Sequence, residues 1–388
     1  MEFPQLPAPV ERFLQYSAQF KTQAELRKAT EPFIQYESKL REVFAQHPDH
    51  AAAQREHLIP VFQADNPQPI IRARDPSKET PQIHDQYLLA LSTKDRKADE
   101  SQAIVNHIAE FKTNFNLFSE SSLVDLDWSN VIAAGSSVVT ALLPVAAPHN
   151  ESKRALRAYY HQTLAPASDV DLFIYGLDEE QAIEKIKTIE QAVRDSILSE
   201  TTTIRTKNAI TIVSEYPTRH VQIVLRLYKN ITEVLTGFDV DCSGVAYDGK
   251  QVLATPRAMA AFMTQINGID LTRRSPSYEN RLSKYSHRGF EVHWPVIDRA
   301  RIDPTIYERS FSRVLGLARL LVLEKLPHPN DRDTYLAKRR EERDRPALPW
   351  NARYRHALPG NVKDSQPDDV AEWVEESETS NYNTFTVP

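Results

Sequence analysis

Asp169 and Asp171 stand two residues apart in the run SDVDLFIYG (168–176), whose Val, Leu, Phe, Ile and Tyr content predicts a β-strand. Side chains two apart on a strand leave from the same face, so the two carboxylates lie side by side and repel. A cation relieves that repulsion, and hard oxygen donors suit Mg2+ or Mn2+. Taken alone, the pattern is a weak signal, and a strand end whose acids face water or cap the next helix is the plainer reading.

Upstream, SNVIAAG (129–135) reads as a buried strand, and a helix is expected from the serines that follow Gly135 through Leu143. A strand that turns into a helix at Gly135, Ser136 and Ser137 presents backbone N–H groups and two hydroxyls to an anion. Glycine at the turn keeps a side chain out of the way. The two motifs together describe an anion cradle beside a metal pair. Neither G-x-G-x-x-G nor G-x-x-x-x-G-K-[ST] occurs in the chain.

A strand, Gly-Ser, a helix and then an Asp-x-Asp strand resemble the DNA polymerase β-like nucleotidyltransferase superfamily, over about residues 125–260. The chain is also similar to the nucleotidyltransferase-like modules that sit beside ankyrin repeats in some large proteins, although no ankyrin repeat is visible here. The resemblance implies a nucleoside triphosphate held at Gly135, Ser136 and Ser137. It implies Mg2+ (or Mn2+) on Asp169, Asp171 and a third acid, and transfer of a nucleotidyl group to an RNA, protein or small-molecule acceptor. Two departures matter. Asp169 follows Gly135 by 34 positions, which makes 144–166, with Lys153, Arg154 and Arg157, an insertion and a candidate basic flap. On the strand expected at 219–228, Gln222 stands where the family often has Asp or Glu. The run at 237–247 (GFDVDCSGVAY), read as a further strand, supplies Asp239 and Asp241, and Asp239 is the choice for the third acid. A catalytically inactive relative acting as a nucleotide sensor or protein-interaction module is the alternative.

Arg219, His220 and Arg226 lie on the strand beside the acid pair, and Arg219 is expected to reach a phosphate. A second basic region, 271–301, has seven Lys and Arg against three acids, interleaved with Tyr278, Tyr285, Phe290 and Trp294. Bases alternating with aromatics suit a triphosphate or single-stranded RNA. Arg273, Arg274, Lys284 and Arg288 are its candidate nucleotide contacts; a solvated helical face is the plainer reading. The twelve histidines show no metal-ligand spacing, and Cys242, the one cysteine, reads as a buried small residue.

These residues need a scaffold. Apolar residues recur at helical spacing over 8–47, where two helices are expected, the second beginning near Pro32 with Thr30 as its cap. Residues 64–84 read as a proline-rich connection and about 86–118 as helical. An amphipathic helix is expected over 178–199 with Ile183, Ile186, Ile189, Val193 and Ile197 inward. Strands at 208–214 and 219–228 joined through Tyr216-Pro217-Thr218 form a hairpin, and helices are expected at 256–267 and 304–325.

The fold class that follows is α+β. A helical region (1–122) precedes a small mixed-sheet core of nucleotidyltransferase type (123–260). A helical substrate-side domain (261–330) and a flexible charged tail (331–388) complete the chain. The net charge of −6 is a property of the tail: residues 361–388 hold seven acids and one base, so it says nothing of the folded part's ligand. The uncharged run 131–148 contains Gly135, three hydroxyl residues and two prolines, which suits a strand, turn and helix better than a membrane span. No membrane partner is expected, and with one cysteine and no evident signal peptide the expected location is intracellular, cytoplasmic or nuclear.

Overall fold

The computed structural model describes residues 2–309 and 311–344. They form an α+β protein with eleven strands: β1 (Ile59–Pro60), β2 (Tyr87–Leu88), β3 (Val131–Ala134), β4 (Val170–Tyr175), β5 (Thr201–Arg205), β6 (Ala209–Ser214), β7 (Val221–Tyr228), β8 (Val245–Tyr247), β9 (Val252–Ala254), β10 (Ile266–Gly268) and β11 (Glu291–His293). The chain divides into two compact units. Among the described residues, the first joins 2–74 to 96–266, and the second joins 75–95 to the chain from 267 to 344. The N-terminal helical region therefore belongs with the sheet core.

The first unit is built on a mixed eight-stranded sheet in the order β1-β9-β8-β3-β4-β7-β6-β5. Within it β4 and β7 run parallel, and the other pairs of known register are antiparallel. The helix Glu179–Ser196 begins with a capping box between Asp178 and Gln181, which satisfies two backbone donors at the helix start. It buries Ala182, Ile189 and Val193, whereas Ile183 is exposed. Ala182 continues the inward row at helical spacing, and Ile183 is turned by one position out of it.

The N-terminal helix differs from its expected form. It runs from Gln23 to Gln46 through Pro32, because the capping box between Thr22 and Glu25 starts it earlier. Thr30 sits inside the helix and bonds the carbonyl of Leu26. Between residues 86 and 118 only Ile108–Phe118 is regular helix, and β5 is a strand the sequence did not announce. Tyr247 meets Phe111, Phe115 and Trp128 edge to face with ring centroids 5.1 Å apart, and Phe111 and Phe115 stack at 5.8 Å, arrangements aromatic quadrupoles favour.

The second unit carries the three-stranded sheet β10-β11-β2 and the helices Tyr278–Ser286, Ala318–Lys325 and Pro329–Glu341. The helix expected over 304–325 is broken, and its regular part starts only after Gly316 at φ +62°. Pro329–Glu341 puts helix at the start of the expected flexible tail; residues 345–388 of that tail lie outside the described residues. No described helix is long and apolar enough to cross a membrane.

Candidate functional site

β3 ends at Ala134, Gly135 turns, and the helix Ser136–Leu142 begins at once. Gly135 has φ +72° and ψ −130°, and a Cβ there would lie 2.9 Å from Cε1 of Phe238. The glycine is thus required by backbone conformation and by an aromatic ring, rather than kept bare for a ligand. Ser136 is nearly buried, and its hydroxyl lies 3.0 Å from that of Ser168. Ser137 is fully buried, and its hydroxyl has no hydrogen-bond partner among the described residues, so this expected anion donor faces the interior.

The register places the acids against this turn. Ala134 on β3 is opposite Asp171 on β4, and Ser168, bonded to Ser136, immediately precedes Asp169. The turn and the Asp-x-Asp run are therefore joined twice, by strand pairing and by a hydroxyl pair. Asp169 lies one residue before β4, with Nδ1 of His220 at 4.0 Å from its carboxylate; both side chains are partly exposed. On β7, in parallel register, Gln222 stands opposite Asp171. The position beside the second acid is filled by an amide.

The third-acid candidates are not on a strand. The helix Ile231–Thr236 is followed by a 3-10 turn at Asp241–Ser243, and β8 begins only at Val245. The cause is Arg257, which is buried. It donates to the carbonyls of Leu235 and Phe238 and to Asp241, and it pairs with buried Glu37 at 2.7 Å. Asp241 is thus committed to Arg257. Asp239 is also buried, but it follows Phe238, whose ring lies against Gly135 and 5.7 Å from that of Phe173 on β4. That contact brings the chain at Asp239 toward the turn.

Asp169 and Asp171 are oxygen donors of the kind a hard cation takes. Among the described residues, however, no group of three or more His, Cys, Asp or Glu side chains is arranged to hold a metal ion. The three-carboxylate set expected from Asp169, Asp171 and Asp239 is not assembled among the described residues.

Arg219, expected to meet a phosphate, turns inward. Its guanidinium donates to the carbonyls of Phe118, Tyr160, Ala165 and Ser168 and lies 3.9 Å over the Phe118 ring. It is a latch that ties the insertion 144–166 and the residue before Asp169 to the chain just ahead of β7. Arg157 and His161, both at 2.7 Å, converge on Glu120, so Arg157 is tied down and not part of a loose flap. Burial pushes the His161 imidazole below its ordinary pKa, against the opposing pull of Glu120. Arg226 pairs with Glu233 at 3.3 Å.

Arg273, Arg274, Lys284 and Arg288 belong to the second unit. Arg273 is buried with its Nε 3.2 Å from Asp270. Arg274 lies 3.7 Å from Glu279. Arg288 is buried, its guanidinium 5.5 Å from the centre of the Tyr285 ring, and Lys284 is exposed. Tyr278, Tyr285 and Phe290 are all buried, so these three aromatics are core and offer no stacking surface.

Sequence reasoning missed Ser168 and Phe238. Ser168 carried a usable signal, a hydroxyl directly before the acid pair. Phe238 carried none, since its contact with Gly135 spans about a hundred residues.

The chain matches the Gabija anti-defense 2 (Gad2) family over residues 109–265, a span that contains the turn, both acids, His220, Gln222 and Asp239. It is 31% identical over 222 residues to the uncharacterized protein R883 of Acanthamoeba polyphaga mimivirus, covering 53% of this chain and 45% of that protein. The chain thus matches less than half the length of this relative. No solved structure matches. The likeness to an anti-defence family is therefore confined to the part of the first unit that holds the candidate site.

Proposed function

We propose that the core at 123–260 is a nucleotidyltransferase, divergent from the polymerase β-like superfamily, that uses Mg2+ or Mn2+ to transfer a nucleotidyl group from an NTP to an acceptor. The observation that carries this reading is the double junction between the Gly135-Ser136 turn and the Asp169-x-Asp171 run, through the Ala134–Asp171 register and the 3.0 Å Ser136–Ser168 contact. In the reaction, an acceptor hydroxyl oxygen attacks the α-phosphorus and pyrophosphate departs. Such chemistry asks mainly for positioning and charge stabilisation. The backbone of the turn orients the triphosphate, and Asp169 and Asp171 face the reacting phosphate. A divalent cation would be held by that pair and would supply charge neutralisation at the phosphate oxygens. Arg219 positions the acids by fixing the carbonyl of Ser168. The description of the family matched over 109–265 supports placing this activity in a role against Gabija defence.

A second reading has an observation of its own. Gln222 stands beside Asp171 where a third acid would complete the site, which favours a nucleotide-binding module without catalysis. The experiment that separates them incubates the full chain with α-32P-labelled NTPs and Mg2+ or Mn2+, against Asp169→Asn plus Asp171→Asn. Transfer or pyrophosphate release that falls by at least about a hundredfold in the double variant supports catalysis, a loss of about 2.7 kcal/mol of transition-state stabilisation. Nucleotide binding without release supports the second reading, and release unchanged in the variant overturns the assignment of the acids.

A further inference from the structure

The half-sheet β4-β7-β6-β5 has two unlike faces. One lies against the helix Glu179–Ser196, where Thr203 of β5 donates to Glu190 and accepts from Arg194. Leu172, Val221, Ile223 and Ile212 are buried on that side. The alternate residues leave from the other face. The registers set them in one row across four strands: Asp171 opposite Gln222, Gln222 opposite Thr211, and Thr211 opposite Ile204. The first three are partly exposed, and Ile204 is 49% exposed. Asp169 and His220, both accessible, stand beside the head of the row.

We infer that this open face is the acceptor surface of the same site, and that the acceptor is a polypeptide segment carrying a Ser, Thr or Tyr hydroxyl. The inference rests on the proposed nucleotidyl transfer and names its acceptor class. Charge decides it. Surfaces that take RNA neutralise one phosphate per nucleotide with Lys or Arg and stack bases on exposed aromatics. The row holds an acid, an amide, a hydroxyl and a branched alkyl group, and a second acid lies at its head. Arg219, the cation adjacent to His220 in the chain, is turned inward onto four carbonyls. Arg226 is paired with Glu233. Two carboxylates on a face without a lysine or arginine in the row repel a phosphodiester chain. A peptide carries no obligatory charge. Its amides match Gln222 and Thr211, and its apolar side chains match Ile204. The span also fits: three strand spacings of about 4.8 Å make about 14 Å, the length of roughly four extended residues.

The step balances without any further reactant. The peptide hydroxyl oxygen forms a bond to the α-phosphorus of the NTP. The bond from that phosphorus to the bridging oxygen of the β-phosphate breaks, and pyrophosphate leaves with the electron pair. The hydroxyl proton passes to water. The product is a phosphodiester-linked nucleotidyl peptide.

The test uses the full chain, α-32P-labelled NTPs with Mn2+ or Mg2+, and two probes at equal concentration. One is a pool of nine-residue peptides with a central Ser, Thr or Tyr, and the other is a 20-nucleotide RNA of random sequence. The expected result is label on the peptides at least tenfold above the RNA. In Ile204→Asp plus Thr211→Asp, and independently in Ile204→Asp alone, the peptide KM should rise at least fivefold with kcat changed less than twofold. Label mainly on the RNA, or RNA binding with steep salt dependence at this face, overturns the inference. So does label on neither probe while calorimetry still shows NTP binding that Asp169→Asn plus Asp171→Asn abolishes; that outcome leaves the nucleotide site standing. Absence of any NTP binding that depends on the acid pair overturns the site reading, and the acceptor inference with it.

Discussion

Two regions looked equally promising as chemistry and folded in opposite ways. Around Gly135 and Asp169 the residues are few, small or acidic, and the structure gathers them at the partly exposed head of a sheet face. Across 271–301 the candidate residues are many, basic and aromatic. There the structure buries Tyr278, Tyr285 and Phe290 and sets Arg273 beside Asp270 and Arg274 beside Glu279. The lesson is physical. A period-two pattern on a strand determines which side chains share a face, whereas mixed bases and aromatics along a helix do not say which of them buries. An aromatic ring gains more from the core than from water, and an arginine at the core's edge takes a nearby carboxylate.

The comparison can be broken by measurement. The largest effect is expected at Phe290→Ala. If the ring is core, the cost is about 3–5 kcal/mol in urea unfolding; a change below 1 kcal/mol would return it to the surface and restore the stacking reading. Next, Arg219→Ala removes a charged donor from four buried carbonyls, of which those of Tyr160 and Ala165 keep a backbone donor, and should cost about 3 kcal/mol. A loss of nucleotide affinity at unchanged stability would make Arg219 a ligand instead of a latch. Gly135→Ala meets Phe238 in a backbone region reserved for glycine and should cost about 2 kcal/mol. Pairing it with Phe238→Ala should recover part of that cost, and strict additivity would show that the ring is not the obstacle. The smallest effect is expected at Lys284→Ala, exposed on its helix and within about 0.5 kcal/mol of the parent; a larger loss would show that this side chain's contacts carry stability in the segment.

Much of the α+β architecture was legible. The buried strand ending at Gly135, the Asp-x-Asp strand, the helix after it and the β6–β7 hairpin all follow from periodicity and turn residues. The misreadings have two causes, one distant in the chain and one local. The run 237–247 has strand-like composition, but buried Arg257 draws the carbonyls of Leu235 and Phe238 and the Asp241 carboxylate to itself. Its guanidinium outweighs local β preference. Thr30 before Pro32 resembles a helix start, yet the reciprocal cap at Thr22 and Glu25 acts first.

The sequence by itself determined that Asp171 sits on a strand with Asp169 directly before it and that a glycine-serine turn precedes a helix, because both follow from the spacing of neighbouring residues. Only the tertiary structure decided that the turn and the acids adjoin. It also decided that Gln222 stands beside Asp171, that Arg219 faces inward, and that Asp241 serves Arg257. Those outcomes depend on strand register and on competition for buried hydrogen-bond partners, which link residues far apart in the chain and leave no mark on local pattern.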